Sequence, residues 1–450
     1  MNKVIGIRKE DKNRWERRTP LIPKEVLELR TQEGLDFVVQ PSKIRIYSDQ
    51  EYRAVGAKLS DDLDACDCVF GIKEMPIDFF RPKKTYIFFA HVIKGQPNNM
   101  PMLKRILEIG CNLIDYEKVT DATGKRLIFF GRHAGLAGMI DTLWALGRRL
   151  ENEGIVSPFN EIRQTIQYEN LTQAKQVIAA VGKKIAEDGL HPALIPLVVG
   201  FTGYGNVSSG AQEIFDLLPY EAIRPKDLGE FFAKKNFSKH KLYKSVFREE
   251  DMVCLQHPTE PPQTFELNDY FTHPEKYKSV FERYVPYLTV LVNCIYWDNR
   301  YPRLITKHFL KLLYKSEPRL RVIGDISCDI SGSIEATVKT TNPDNPVFVY
   351  DPITNRVMDG VVGRGPVIMA IDNLPCEIAK ESSIYFSNVL KSFVPAIAKA
   401  DFSSSFERCQ LPPEIKKAVI VYQGELTPNY KYLDQYLKTN AQTKGAKFQV

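Results

Sequence analysis

Leu197-Val-Val-Gly-Phe-Thr-Gly-Tyr-Gly-Asn-Val-Ser-Ser-Gly210 is the stretch that decides the fold. Residues 197–202 are apolar enough for a buried strand. Glycines at 203 and 205 follow, and then Val207, Ala211, Ile214 and Leu218 share one helical face. A strand, a glycine turn and an amphipathic helix in that order form the cradle a dinucleotide needs. Gly203 makes the tight turn, Gly205 lets the backbone approach a pyrophosphate, and the N–H groups of the first helical turn hold the anion. The candidate contacts are therefore Gly203, Tyr204, Gly205, Asn206, Val207 and Ser208. Ser208 stands in the place of the usual third glycine, and Gly210 comes two residues later. About 20 residues beyond such a loop, the second strand carries the residue that reads the ribose. Here the run is Glu221-Ala-Ile-Arg-Pro-Lys226. Arg224, with Lys226 nearby, suits the 2′-phosphate of NADP, whereas an acid would suit NAD.

Working outward, residues 134–150 contain no proline and repeat apolar residues at helical spacing. They predict a long helix that leaves the first domain. Its small residues Gly135, Ala137 and Gly138 serve close packing in preference to ligand contact. Residues 1–130 alternate short apolar strands (4–7, 37–39, 68–72, 85–89 and 112–114) with helical stretches at 23–33 and 100–109. Such alternation predicts a largely parallel sheet covered on both faces. Gly124 marks a turn between strand-like runs at 113–116 and 126–129. On the C-terminal side, residues 227–275 are charged and aromatic and read as a surface elaboration with a solvated basic run. Strands return at 288–296, 321–326 and 367–371, and a helix over 378–399 carries the chain back. The expected architecture is α/β, with two Rossmann-like domains of largely parallel sheet and an inter-domain cleft. The first, substrate-binding domain is discontinuous, 1–140 plus 376–450. The second, 141–375, binds the dinucleotide and carries an insertion around 227–275.

Composition excludes several classes. The chain has 450 residues and a formal charge of +6, from 61 Lys+Arg against 55 Asp+Glu. With 44% hydrophobic and 26% charged residues it has material for sizeable cores, not disorder. The longest apolar runs, 194–201 and 287–297, fall well short of the roughly 18–20 residues a bilayer span needs. No concentrated basic face marks a nucleic-acid partner. The eight cysteines form no CxxC pair. Cys66 and Cys68 lack a second pair of zinc ligands, so no metal site is expected, and the cysteines read as reduced core residues. The N-terminus reads as structure: Glu10, Asp11 and Glu16 fit neither a secretory signal nor a presequence.

Four constellations could carry chemistry. In open α/β sheets the carboxyl ends of the strands line the ligand crevice. Lys73 and Glu74 follow one apolar strand and His91 follows the next, so both basic groups end at one rim. They form a plausible acid/base pair, with burial lowering the pKa of Lys73. Glu117, beside Asp115 and Tyr116, would offset the positive charge. Arg126 and Arg18, the latter in Glu16-Arg-Arg-Thr-Pro-Leu21, suit two-pronged recognition of carboxylates.

The motifs IRKEDKNRWERRTPLIP (7–23), GIKEMP (71–76), FFAHVIK (88–94), LIDYEK (113–118), GRHAGLAGMI (131–140), FTGYGNVSSGAQ (201–212), NCIYW (293–297), DISCDISGSIE (325–335) and IDNLP (371–375) occur in this order. Together they resemble the lysine–2-oxoglutarate reductase family, found as a domain of animal α-aminoadipic semialdehyde synthase. That family sits in the saccharopine dehydrogenase and alanine dehydrogenase superfamily. The resemblance runs to about residue 437. It implies that L-lysine, 2-oxoglutarate and NADPH give saccharopine, NADP⁺ and water, the first step of lysine degradation. It implies Lys73 and His91 as the acid/base pair, tuned by Glu74 and Glu117. Arg18 and Arg126, with Glu16, would hold the substrates. Asp329, Asp372 and Asn373 would lie near the nicotinamide. A C-terminal saccharopine dehydrogenase half, a homo-oligomer and a mitochondrial matrix location (the cytoplasm as alternative) are further implications. Two other readings stand beside this one. The first is an NAD-dependent relative, either the lysine-forming saccharopine dehydrogenase or an alanine dehydrogenase. The second is a non-catalytic NADP-binding redox sensor.

Overall fold

The computed structural model describes residues 3–257 and 264–442. They divide into two units, one reaching Phe130 and resuming at Ala379, the other spanning Gly131–Ile378.

The sheet of the first unit has eight strands. Their spatial order is Glu425–Leu426, Val419–Tyr422, Asn112–Asp115, Thr85–Phe88, Cys68–Phe70, Val4–Ile7, Asp36–Val39 and Lys58–Leu59. The last six in that order are parallel, and the two C-terminal strands join antiparallel at one edge. The chain builds outward from Val4–Ile7 in one direction, then returns to Cys68–Phe70 and builds outward in the other. The reversal between those two strands is the switch point where such sheets hold ligands. Helix Pro23–Glu33 starts on Pro23 and stops at Gly34, whose φ of 65° is the left-handed conformation that ends helices. Two expectations are corrected here. Residues 126–129 form no strand, because Asp121 Oδ1 collects the N–H groups of Thr123 and Lys125 and closes a tight loop. An isolated bridge from Thr120 to Arg126 remains. The helix expected over 378–399 is two, Ala379–Leu390 and Val394–Lys399. Pro395 has no N–H to continue the first and suits the opening turn of the second.

The main sheet of the second unit, beside a small antiparallel pair, Val253–Leu255 with Tyr277–Ser279, also has eight strands. Their order is Arg356–Asp359, Val347–Asp351, Val367–Met369, Val322–Asp325, Val290–Asn293, Val198–Thr202, Leu242–Phe247 and Tyr220–Ala222. The last six are parallel, and the first two add an antiparallel hairpin. The long helix, Gly131–Asn152, lies wholly in this unit, so the boundary falls at 130/131 and not at 140. A Cβ at Gly135 would sit 1.9 Å from the carbonyl oxygen of Val207, and one at Gly210 would sit 2.1 Å from that of Arg132. Two helices therefore touch backbone to backbone, and the small residues serve packing.

The stretch 227–275 is more than a surface elaboration. Leu242–Phe247 is an inner strand, wedged between Val198–Thr202 and Tyr220–Ala222. Lys244 disguises it. That buried lysine donates to Asp216 at 2.6 Å and lies 4.8 Å from the Tyr220 ring centre. Residues 258–263 of the stretch lie outside the described residues.

One buried pair sets a pH response. Asp141 on the long helix and Glu377 are buried carboxyls close enough for each to act on the other's charge, and Asp141 accepts from the Thr165 N–H at 2.8 Å. Burial raises both, Glu377 well above its ordinary 4.5, so the folded unit keeps a proton that the unfolded chain releases. The stability this contributes is complete below the ordinary carboxylate value and falls as pH rises through the raised one. Thermal unfolding from pH 5 to pH 8 should therefore show stability declining by up to about 1.4 kcal/mol per pH unit from this pair. Glu377→Gln should flatten that decline and leave the variant more stable than the parent at the alkaline end. An unchanged slope in the variant would refute the assignment.

Candidate active site

In the first unit, parallel pairing brings four strand ends to one edge. Glu10 lies three residues beyond Val4–Ile7. Its carboxylate crosses the switch point and accepts the N–H of Ile72 at 2.6 Å and of Lys73 at 3.0 Å. Burial, then the nearby Glu16, pushes Glu10 up to about 7 against the pull of Arg8. Arg8 is itself buried, with its guanidinium 4.9 Å from the Phe79 ring centre; its Nε and Nη1 have no hydrogen-bond partner among the described residues.

Lys73 follows Cys68–Phe70 directly at the same edge. Burial and then the Arg18 cation hold its ammonium below the usual lysine range, while Glu16 and Glu74 oppose them. Glu74 bridges two side chains, accepting from Lys12 at 2.9 Å and meeting His91 Nδ1 at 2.7 Å. Burial alone would raise Glu74, but the His91 hydrogen bond, with Lys12 behind it, holds it far below the carboxylate range. His91 ends the neighbouring strand in a left-handed conformation, φ 48°. That conformation is costly outside glycine and recurs at functional sites. The His91 ring stacks on Phe89, and its carbonyl accepts from Asn99 at 3.0 Å. Lys73, Glu74 and His91 thus share one edge.

Asp115, at the end of the fourth strand, is fully buried and pushed up to about 7 by burial. Its Oδ1 accepts the Glu117 N–H at 2.9 Å, and its Oδ2 has no partner among the described residues. Glu117 lies 3.8 Å from the half-exposed Arg126. Arg18 is buried over Phe130, 4.3 Å from the ring centre, and its Nε and Nη2 donate to Glu16 at 2.7 and 2.5 Å. Those two donors are engaged inside the protein. Glu10 is the group that sequence reasoning passed over, and Asp115 was noted there only as the neighbour of Glu117. Their signal was position alone, each lying at or just past the carboxyl end of an apolar strand.

In the second unit, Gly203 takes φ 78° at the turn and helix Asn206–Phe215 begins with Gly205 at its cap, without a side-chain cap. The first-turn N–H groups are therefore left for an anion. Ser208 faces inward: it is buried, and its Oγ accepts from Gln212 at 2.9 Å. Its side chain supports the helix, and only its backbone can meet a ligand.

Strand order bears on the ribose position. Arg224 follows Tyr220–Ala222, the edge strand two places from Val198–Thr202, and is exposed with Asp227 at 2.5 Å. The adjacent strand, Leu242–Phe247, ends in Arg248 and Glu249 instead. The Arg248 guanidinium lies 4.9 Å from the Tyr204 ring centre, and burial, then the nearby Glu249 carboxylate, raises the Tyr204 hydroxyl above its ordinary value. A strand from later in the chain takes the place beside Val198–Thr202.

Beneath the same edge runs a buried chain. Thr202 donates to Asn293 at 2.8 Å, Asn293 to Asp325 at 2.8 Å, and Thr337 to Asp325 at 2.5 Å. Burial pushes Asp325 up to about 6. Asp329, Asp372 and Asn373 follow the strands Val322–Asp325 and Val367–Met369 at this end of the sheet.

Two family models match the chain: the alanine dehydrogenase/PNT N-terminal domain over residues 6–137 and its C-terminal domain over 263–429. The chain belongs to the alanine dehydrogenase/PNT family. It is similar to alpha-aminoadipic semialdehyde synthase of Arabidopsis thaliana, 41% identical over 98% of this chain and 42% of that protein. The mitochondrial alpha-aminoadipic semialdehyde synthase of Mus musculus is 36% identical over 96% of this chain and 48% of its own length. The chain thus spans just under half the length of these relatives. A saccharopine dehydrogenase [NAD(+), L-lysine-forming] of Emericella nidulans is 28% identical over 79% of this chain and 82% of its own. Among solved structures, an L-alanine dehydrogenase matches with a TM-score of 0.60 at 17% identity, over 96% of this chain and 99% of that one. A transhydrogenase from Sinorhizobium meliloti matches with a TM-score of 0.55 at 14% identity, over 95% and 100%.

Family membership implies a nicotinamide cofactor, and the glycine loop fits one. A Cβ at Gly205 would meet nothing within 4 Å, and its φ of −77° is open to any residue. Folding alone does not demand glycine there, and the open space leaves room for a ligand. Gly205→Ala should leave the melting temperature essentially unchanged and weaken dinucleotide binding by at least about tenfold, measured by titration calorimetry. Equal affinity in parent and variant would remove the loop from the cofactor site.

Proposed function

We propose that this chain is the reductase half of a bifunctional protein and condenses L-lysine with 2-oxoglutarate, reducing the adduct with NADPH to saccharopine. The observation that carries the reading is the grouping of Lys73, Glu74 and His91 on adjacent strand ends. The substrate's ε-amine must be neutral to attack the ketone, yet its ordinary pKa is about 10.4. Lys73, held down by burial and by Arg18, is suited to take that proton. Loss of water from the carbinolamine needs an acid, and His91, oriented through Nδ1 by Glu74, is placed to supply a proton from its other ring nitrogen. The nicotinamide, when bound, supplies the hydride that reduces the imine. Arg126, half-exposed beside Glu117, suits a carboxylate of 2-oxoglutarate. Arg18 with Glu16 contributes a buried ion pair whose cation depresses Lys73. Asp329, Asp372 and Asn373 are the proposed nicotinamide-side contacts.

NADPH is preferred over NADH in this reading because Arg248 ends the strand beside the glycine loop, while the Glu249 carboxylate lies near the Tyr204 hydroxyl. Arg248 replaces Arg224 as the 2′-phosphate contact. An NAD-dependent, lysine-forming enzyme is the second reading, favoured by the acid at 249 and by the named cofactor of the fungal relative. The Lys73, Glu74 and His91 grouping weighs against a redox sensor, which has no use for an acid/base pair. The mitochondrial names of the mammalian relatives support a matrix location.

The test is NADPH consumption with both substrates present, with each omitted in turn, and with NADH in parallel. Turnover should require both substrates and favour NADPH. Lys73→Met and His91→Ala should each lower kcat by roughly 10²–10⁴-fold; losses of only a few-fold would end the acid/base assignment. Arg248→Ala should raise KM for NADPH by at least about tenfold and leave NADH untouched, whereas Arg224→Ala should change neither. A greater effect at Arg224 would restore it as the phosphate contact.

A further inference from the structure

The second unit holds a cavity of about 690 Å³ that the proposed reaction does not use. It lies at the amino ends of Val322–Asp325 and Val367–Met369, where Arg321 and Gly365 border the strands. The glycine loop follows the carboxyl end of Val198–Thr202, parallel to both through the sheet, so cavity and loop occupy opposite edges. Its ionisable lining is Arg149, Lys315, Arg321 and Arg364 against Glu153 and Glu317, four cations to two carboxylates.

The arginines are held in place. Glu153 accepts from Arg149 Nε and from Arg321 Nε, both at 2.8 Å. Arg149 Nη1 donates to the carbonyls of Val361 and Gly363 at 2.9 and 2.8 Å. Arg364 Nη2 donates to the carbonyl of Tyr314. Gly365 keeps its loop tight, with a φ of 134° and room for no Cβ against the Tyr350 carbonyl. Each guanidinium keeps donors in reserve. Arg149 Nη2, Arg321 Nη2, and Nε and Nη1 of Arg364 make no hydrogen bond among the described residues. A single carboxylate, Glu153, cannot satisfy two guanidiniums, and neither it nor Glu317 reaches the third. Asp351 lies within reach of the Arg364 charge, yet the lining still holds more cations than carboxylates. That excess and the fixed, unused N–H donors are the chemistry of an oxyanion site.

We propose that this cavity binds a small, doubly charged oxyanion, a phosphate group or a dicarboxylate, at a place separate from the cofactor. Arg149 and Arg321, held by Glu153, line it together with Arg364 and Lys315. The occupant replaces no internal hydrogen bond.

The test keeps the cofactor site filled. The chain is saturated with whichever of NADPH and NADH binds, and inorganic phosphate and succinate are titrated separately by calorimetry. At least one of the two should bind saturably with the dinucleotide present, and which one binds names the source of the oxyanion. Arg321→Gln and Arg364→Gln should each weaken that binding by at least about tenfold. The exposed Lys315→Gln, which breaks no internal contact, should weaken it by a smaller factor and guards against loss through misfolding. Dinucleotide affinity should be unchanged in all three. Absence of binding by both anions, or equal binding in parent and variants, would overturn the proposal.

Discussion

Parallel strand pairing is the constraint on which the rest of this molecule depends. Neighbouring parallel strands run the same way, so their carboxyl ends must lie along one edge. In the first unit Val4–Ile7, Cys68–Phe70, Thr85–Phe88 and Asn112–Asp115 end together. Glu10, Lys73, Glu74, His91 and Asp115 are thereby gathered from positions spread over a hundred residues. In the second unit the same rule collects Thr202, Asn293 and Asp325 into one buried chain. Hairpin connections would scatter these side chains to opposite edges.

Desolvation then decides what the gathered groups can do. Strand ends in a sheet covered on both faces sit at the border of the dry core, where the charged form of a side chain loses its hydration. Glu10 and Asp115 rise to about 7, and Lys73 falls. All three move toward neutrality, the range in which a proton can be both held and released. Glu74 moves the other way because it has partners. Lys12 and His91 outweigh its burial and keep it ionised. The three carboxyl groups on one rim are thus pushed in opposite directions for a stated reason.

The second unit shows how backbone contact can decide the identity of a residue. Gly135 and Gly210 allow the long helix to touch the helix behind the glycine loop. Gly205 is different, since nothing in the folded chain fills the space beside it. Three glycines of similar appearance in the sequence thus have two distinct surroundings, packed backbone and open space. Periodicity could not separate them.

Much of this was legible before the structure. Apolar runs of four to six residues alternating with helical stretches dictate parallel sheets, because each strand must be buried on both faces and each helix must cover one. Residues 197–210 dictate a dinucleotide cradle, because only that order joins a buried strand, a left-handed turn and an uncapped helix. Lys73 and His91 were legible from their places after apolar strands. Other features depended on the third dimension. Arg248, not Arg224, ends up on the strand beside the glycine loop's strand because strand order is settled by pairing, and Leu242–Phe247 enters the sheet through the burial of Lys244 against Asp216 and Tyr220. Glu10 became the group that spans the switch point, and Glu16 took the donors of Arg18, because hydrogen-bond partners are chosen by distance in space. Local sequence determined which elements form and which residues sit at their ends; tertiary pairing and desolvation decided which of those residues meet and in what charge state.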